Sequence, residues 1–218
     1  RRQRQMCIRD SKYGYYSPVS LGFTSNTWST IWNGIHQCYM FQESLKQVSN
    51  EYVTDEMKKQ YLAESNFLIA YYHFLSMRSY GPTMIIRSVI DLETPISGFP
   101  ERSSIDEVVA FINEKLDEAM SEGGLPTTWS GKDYGRATRL AALALKSRVY
   151  LYAASPLYNG NTEMYADFRS PLDGRQLIAQ EKSQAKWEIS ATQTKYAIDE
   201  VEKAKFHLYH DADAGEPS

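Results

Sequence analysis

Cysteine is scarce in this sequence: Cys7 and Cys38 are the two that occur, and no C-x-x-C spacing exists. That excludes a disulfide framework and leaves the redox compartment open. Positive charge is not in surplus either. Lys and Arg number 24 against 27 Asp and Glu, for a net charge of −3, and the one basic run is Arg1, Arg2 and Arg4. Such a balance gives no field to attract polyphosphate, so a nucleic-acid partner is not expected. No apolar run approaches membrane-spanning length, and the opening RRQRQMC has no apolar stretch behind its basic residues. No export signal is therefore read in this sequence, and a signal is expected to have been removed or to lie upstream. G-x-S-x-G, H-E-x-x-H and a Gly-rich phosphate loop are missing as well. His36 and His73 fall in helical patterns with no nucleophile beside them, and the carboxylate pair of a glycosidase is a spatial feature that spacing does not reveal. The expectation is a non-catalytic protein without cofactor or metal.

What is present is ordinary globular material with an aromatic excess. Hydrophobic residues make up 42% of the 218 positions and charged residues 23%, while tyrosines number 16 and tryptophans four. Helical periodicity recurs in five places, so the fold class reads as mainly α. The first helix spans about 25–48, with Trp28, Ile31, Trp32, Ile35, Tyr39 and Leu45 in step. Thr54 opens a second that runs to Tyr80, where Gly81-Pro82 stops it. Met57, Tyr61, Leu68, Tyr72 and Leu75 are expected to form its buried stripe, widened by Phe67, Tyr71 and Phe74. After a short extended piece at 83–86, Ser104 and Glu107 form an S-x-x-E capping box for a third helix with Ile105, Val108, Val109, Ile112, Leu116 and Ala119 on one face. A fourth covers 136–154, rich in alanine for close helix approach, and a fifth covers about 185–205 with Trp187, Ala191, Thr194, Ile198 and Val201 in step. Helix pairs 25–80 and 103–155 would form tetratricopeptide-like hairpins, leaving the last helix without a partner, as if the sequence were part of a larger domain. The loop 155–182 is long enough to suggest a functional or mobile segment.

These blocks resemble the SusD/RagB family of outer-membrane nutrient-binding lipoproteins. The segment YLAESNFLIAYYHFLSMRSYGP is similar to the family's signature helix, FPERSSIDEVVAFINEKLDEAMSEGGLP to its next block, and GRATRLAALALKSRVYLYAASPLYNGN to a third, in the same order from Trp28 to Leu208. The resemblance implies a helical scaffold carrying binding loops, exposed at the cell surface by a lipid anchor not contained in this sequence. It implies an oligosaccharide ligand, with peptide for some members, and a partner outer-membrane transporter, TonB-dependent and of the SusC type. It further implies that this sequence is the N-terminal portion of a longer protein, much of whose ligand surface lies beyond it. Three positions depart from the family pattern: Ile69 replaces an arginine, Tyr39 an asparagine and Lys115 an aspartate. Cys7 also lacks the small and apolar residues that precede a lipidated cysteine. The alternative reading is a tetratricopeptide-type adaptor that grips a peptide or protein.

Ligand candidates fall in three places. Trp28, Trp32 and Asn33 combine aromatic faces that stack on sugar rings with an amide for hydroxyls, although their helical spacing favours core packing. Trp129 sits in the polar loop Thr127–Gly135, outside any stripe, which makes it the foremost candidate, although a tryptophan closing over a helix end would occupy the same place. Tyr158, Asn159 and Asn161, with Tyr165 and Asp167, offer polar groups on the long loop, where Asn-Gly-Asn is also plain turn chemistry. His207, His210, Asp211 and Asp213 form no closed metal set and read as a solvated chain end.

Overall fold

A computed structural model of the protein describes residues 23–91 and 93–208. Six α-helices dominate them: α1 (Phe23–Gln47), α2 (Asp55–Tyr80), α3 (Ile105–Ala119), α4 (Arg139–Ala154), the one-turn α5 (Thr162–Tyr165) and α6 (Gln184–Lys203). Two short strands, β1 (Thr83–Met84) and β2 (Arg102–Ser103), pair antiparallel between α2 and α3. The helix ends follow local chemistry. Thr54 accepts from the Met57 N–H at the start of α2, and Gly81 closes it at φ 72°, a left-handed value that suits glycine. Ser104 and Glu107 complete the capping box of α3 in both directions. Helix α4 begins at Arg139 rather than 136, because the Thr138 hydroxyl caps it by accepting from Ala141.

Each long helix lies antiparallel to the next. Trp28 meets Tyr80 while Gln42 donates to Ser65 and Asn66, which sets α1 head-to-tail on α2. Helix α3 packs on α2, and α4 on α3, where Arg139 donates to the Met120 carbonyl and Lys146 pairs with Asp117. One core forms between α2, α3 and α4 around Phe74, Met77, Ile112, Leu116 and Val149. A second forms between α1, α2 and α3 around Ile31, Ile35, Ile69 and Phe111.

Two expectations need correction. Helix α2 buries Ala63, Ser65, Ile69, Ala70, His73, Phe74, Ser76 and Met77, whereas Met57, Leu68 and Tyr71 are exposed. Because α2 is gripped by α1 on one side and α3 on the other, mostly small and medium side chains occupy the contacts beside the rings of His73 and Phe74, while Phe67, Tyr71 and Tyr72 lie toward the rim. Helix α6 is not unpaired. It runs antiparallel along α4 through Ser190, Ala197 and a Ser147–Thr194 hydroxyl pair at 2.7 Å, and Asn159 clasps its Ser183 cap. The loop 155–182, expected to be functional or mobile, packs back on the helices. It buries Tyr158, Leu177 and Ile178, and the Leu177 carbonyl accepts from the Ile105 N–H.

Candidate carbohydrate site

The loop 127–138 is built around Trp129. Its indole N–H donates to the Ala137 carbonyl at 2.7 Å, which fixes the ring's edge just ahead of the α4 cap. The Arg136 guanidinium lies 4.2 Å from the ring centroid, a cation–π stack. Arg136 is itself held by Glu64 of α2 at 2.6 Å and by Asp133 at 3.0 Å. Gly131 and Gly135, at φ 61° and 100°, let the chain turn tightly on either side of Asp133. The result is a half-buried indole whose orientation is set by a hydrogen bond, a stacked cation and two ion pairs. It borders a cavity of about 420 Å³ that also draws on Thr127, Thr128, Tyr134 and Thr138, with Phe206 from just beyond α6. Tyr134 is 86% exposed, and Phe206 stands about half out of the surface. Aromatic faces beside hydroxyl groups suit a sugar ring, whose C–H face stacks while its hydroxyls exchange hydrogen bonds.

The other candidates separate from this place. Trp28 and Trp32 sit at the α1 end beside Tyr80, their rings 5.3 Å apart and edge-on. Tyr61 lies 5.7 Å from the Arg136 guanidinium, and Tyr80 is 19 residues further along α2, so at about 1.5 Å per residue the two tryptophan groups lie roughly 28 Å apart along that helix. Trp32 borders a second, mainly apolar cavity of about 290 Å³ with Ile35, Ile86 and Ile90, and the described residues offer its indole N–H no hydrogen-bond partner. Asn33 is exposed and lines neither cavity. Tyr158 is buried, its hydroxyl donating to the Met77 carbonyl at 3.1 Å, and burial pushes its phenol up to about 12. Asn159 is buried with its amide engaged by Ala154 and Ser183, and Asn161 caps α5. Turn and clasp geometry thus already engages polar atoms of all three residues, while Asn161 remains half-buried. His207 is exposed, and the rest of the His210–Asp213 cluster lies outside the described residues. Among the described residues no three His, Cys, Asp or Glu side chains gather in a metal-binding set, and no helix is long and apolar enough to cross a membrane.

Sequence reasoning missed Arg136 and Tyr134. Tyr134 carried the same signal as Trp129, a large aromatic in a polar glycine-flanked loop. Arg136 carried none, since its partner Glu64 is 72 positions away.

Residues 12–151 match the model of a SusD-like family described as starch-binding and associating with the outer membrane. The solved structure of BT4246 is 35% identical, superposes with a TM-score of 0.76, and covers 84% of this chain and 31% of its own. The chain belongs to the SusD-like family. A laminarin-binding SusD-like protein is 25% identical over 59% of this chain and 26% of its own, at a TM-score of 0.52. Surface glycan-binding protein A from Bacteroides fluxus is 28% identical over 68% of this chain and 31% of its own, at a TM-score of 0.50. Among curated protein sequences, none matches. The SusD-like chain described here thus spans about a third or less of the length of these solved relatives. Its mainly helical architecture is that of the family, which is described as starch-binding and associating with the outer membrane, and two of these relatives are named for binding laminarin or surface glycan.

Proposed function

We propose that this protein captures an oligosaccharide at the bacterial surface, without cleaving it, and passes it to a TonB-dependent outer-membrane transporter of the SusC type. A lipid anchor outside this sequence would hold it there. The observation that carries the proposal is the Trp129 platform: an indole locked by Ala137 and Arg136 at the edge of a hydroxyl-lined cavity, in a family described as starch-binding. Laminarin is a reasonable first probe, because it names the ligand of one SusD-like relative.

Calorimetric titration with laminari- and malto-oligosaccharides, preceded by a glycan array, tests it. Trp129→Ala should weaken binding at least tenfold, about 1.4 kcal/mol. Its thermal midpoint should fall only modestly, since one hydrogen bond and one stacked cation are lost and no core side chain. Trp129→Phe, which keeps a stacking face without the N–H, should bind between the two. A Trp129→Ala protein that binds as wild type, or loses the roughly 3–5 kcal/mol of a core aromatic truncation, would show a packing residue instead. An array positive for peptides alone would favour the adaptor reading. Turnover of a bound oligosaccharide, abolished by one carboxylate substitution, would make the protein an enzyme.

A further inference from the structure

A groove between α1 and α2 adjoins the Trp129 platform and has a lining of its own kind. It holds about 460 Å³ and is walled by Phe41, Tyr61, Leu68 and Tyr72, with Gln37 and Glu64 among them. Phe41 is 44% exposed and meets the Tyr61 ring edge-on at 6.4 Å. Tyr61 lies 5.7 Å from the Arg136 guanidinium, the same group that stacks on Trp129, and Glu64 lines the groove while pairing with Arg136. Arg136 therefore forms the partition between two aromatic cavities. Gly34 shapes one wall of the groove: a Cβ there would fall 2.6 Å from a Tyr72 ring carbon, so glycine lets that ring lie against the α1 backbone.

We infer that the α1–α2 groove is a second sugar subsite, and that the ligand is an uncharged oligosaccharide long enough to run from Trp129 across Arg136 to Phe41. Three features point to this occupant. The aromatic rings continue from one cavity to the other through a single shared side chain. The Gln37 amide and the Glu64 carboxylate stand among those rings and supply donors and an acceptor for hydroxyls. The positive charge at the junction is balanced by Glu64 and Asp133, so a carboxylated or sulfated chain meets no uncompensated cation there. Both walls are α-helices whose backbone groups are internally bonded, which leaves no strand edge for an extended peptide to pair with.

This extension rests on the glycan reading of the Trp129 platform, and the experiment keeps the two apart. Laminariheptaose, maltoheptaose and their trimers are titrated into the wild type, Phe41→Ala and Trp129→Ala. The heptaose that binds should do so at least tenfold more tightly than its trimer. Phe41→Ala, at an exposed ring with little core to lose, should abolish that length advantage and leave trimer affinity unchanged. Trp129→Ala should weaken both lengths. Equal affinity for heptaose and trimer, or a Phe41→Ala protein that keeps the advantage, overturns the second subsite and leaves the Trp129 site standing. Failure of both heptaoses to bind overturns the glycan reading and the extension together. A carboxymethylated laminari-oligosaccharide that binds more tightly than the neutral one overturns the charge assignment.

Discussion

His73 is fully buried in α2 between Phe111 at 4.7 Å and Trp32 at 6.0 Å, and it links that helix to the segment after β1. Its Nδ1–H donates to the Ile69 carbonyl at 2.8 Å, so Nε2 is left to accept, at 3.4 Å, from the Ile86 N–H. Protonation would set two N–H groups face to face. Burial accordingly pushes the imidazole down from 6.5 to about 4, with Arg87 and Lys115 adding to the effect against the Ile69 hydrogen bond. Between those values the unfolded chain holds a proton that the folded chain excludes, so stability is complete above about pH 6.5 and falls as pH drops toward 4. Urea midpoints measured from pH 7.5 to 4.5 should decline, by up to ~3 kcal/mol in stability, and His73→Gln should flatten that decline. An unchanged slope in the variant would assign the acid loss to carboxylates such as Glu114, which its Arg87 hydrogen bonds hold below the usual range. The three departures from the family pattern meet beside this ring. Ile69 and Tyr39 join the same core, the Tyr39 hydroxyl donating to the Ile86 carbonyl at 2.7 Å, and Lys115 lies over Phe111 with its ammonium on Glu118.

At the scale of elements, helix α2 shows how burial on two sides defeats a one-stripe reading. Phe74 is 1% exposed and takes the Tyr152 ring edge-on at 5.3 Å, whereas Tyr71, three residues earlier, is 40% exposed and stacks on Phe67. Phe74→Ala should cost about 3–5 kcal/mol and Tyr71→Ala less than about 1 kcal/mol in chemical denaturation. Equal losses would mean that the aromatic rim is part of the core after all. Helix α3 was largely legible, because its capping box is local and its apolar positions recur at helical spacing; Phe111 and Asn113, buried as well, were missed because the helix meets a neighbour on more than one side. Helix α1 was legible for the same reason, with Ile31, Ile35, Tyr39 and Leu45 buried as their spacing predicts. The loop 155–182 was not. Its burial depends on Tyr158 reaching Met77, 81 positions away, and on Asn159 clasping Ser183, contacts that no short-range pattern encodes. Trp129 was legible as an aromatic without a stripe, while the Arg136 hub that orients it required the tertiary approach of α2.

For the whole molecule, α1, α2, α3, α4 and α6 pack antiparallel in succession, and among the described residues α6 packs chiefly on α4, with Lys186 reaching Asp106 of α3. The consequence is visible on α6. Its seam against α4 is made of the small residues Ser190 and Ala197, while the apolar stripe expected from spacing lies on the flank: Ala191 and Ile198 are exposed, Ile198 at 47%, and Trp187 and Val201 are half-buried. Trp187, Ala191, Ile198 and Val201 recur at helical intervals, so they form one continuous strip and not scattered apolar residues. A contiguous apolar strip is costly to leave in water, in proportion to its area, and promotes association. The chain of 218 residues expressed alone should therefore self-associate at micromolar concentration in sedimentation velocity. Ile198→Lys, which places a charge in mid-strip without touching the Ser190–Ala197 seam, should shift the population toward monomer. Stability should change by no more than about 0.5 kcal/mol, as for other surface substitutions. A wild-type chain that sediments as a monomer at all concentrations would show that this strip is tolerated as ordinary exposed surface. A variant that unfolds would show that Ile198 contributes to the α4 seam, and that the exposed flank lies instead on the side of Ile189 and Tyr196.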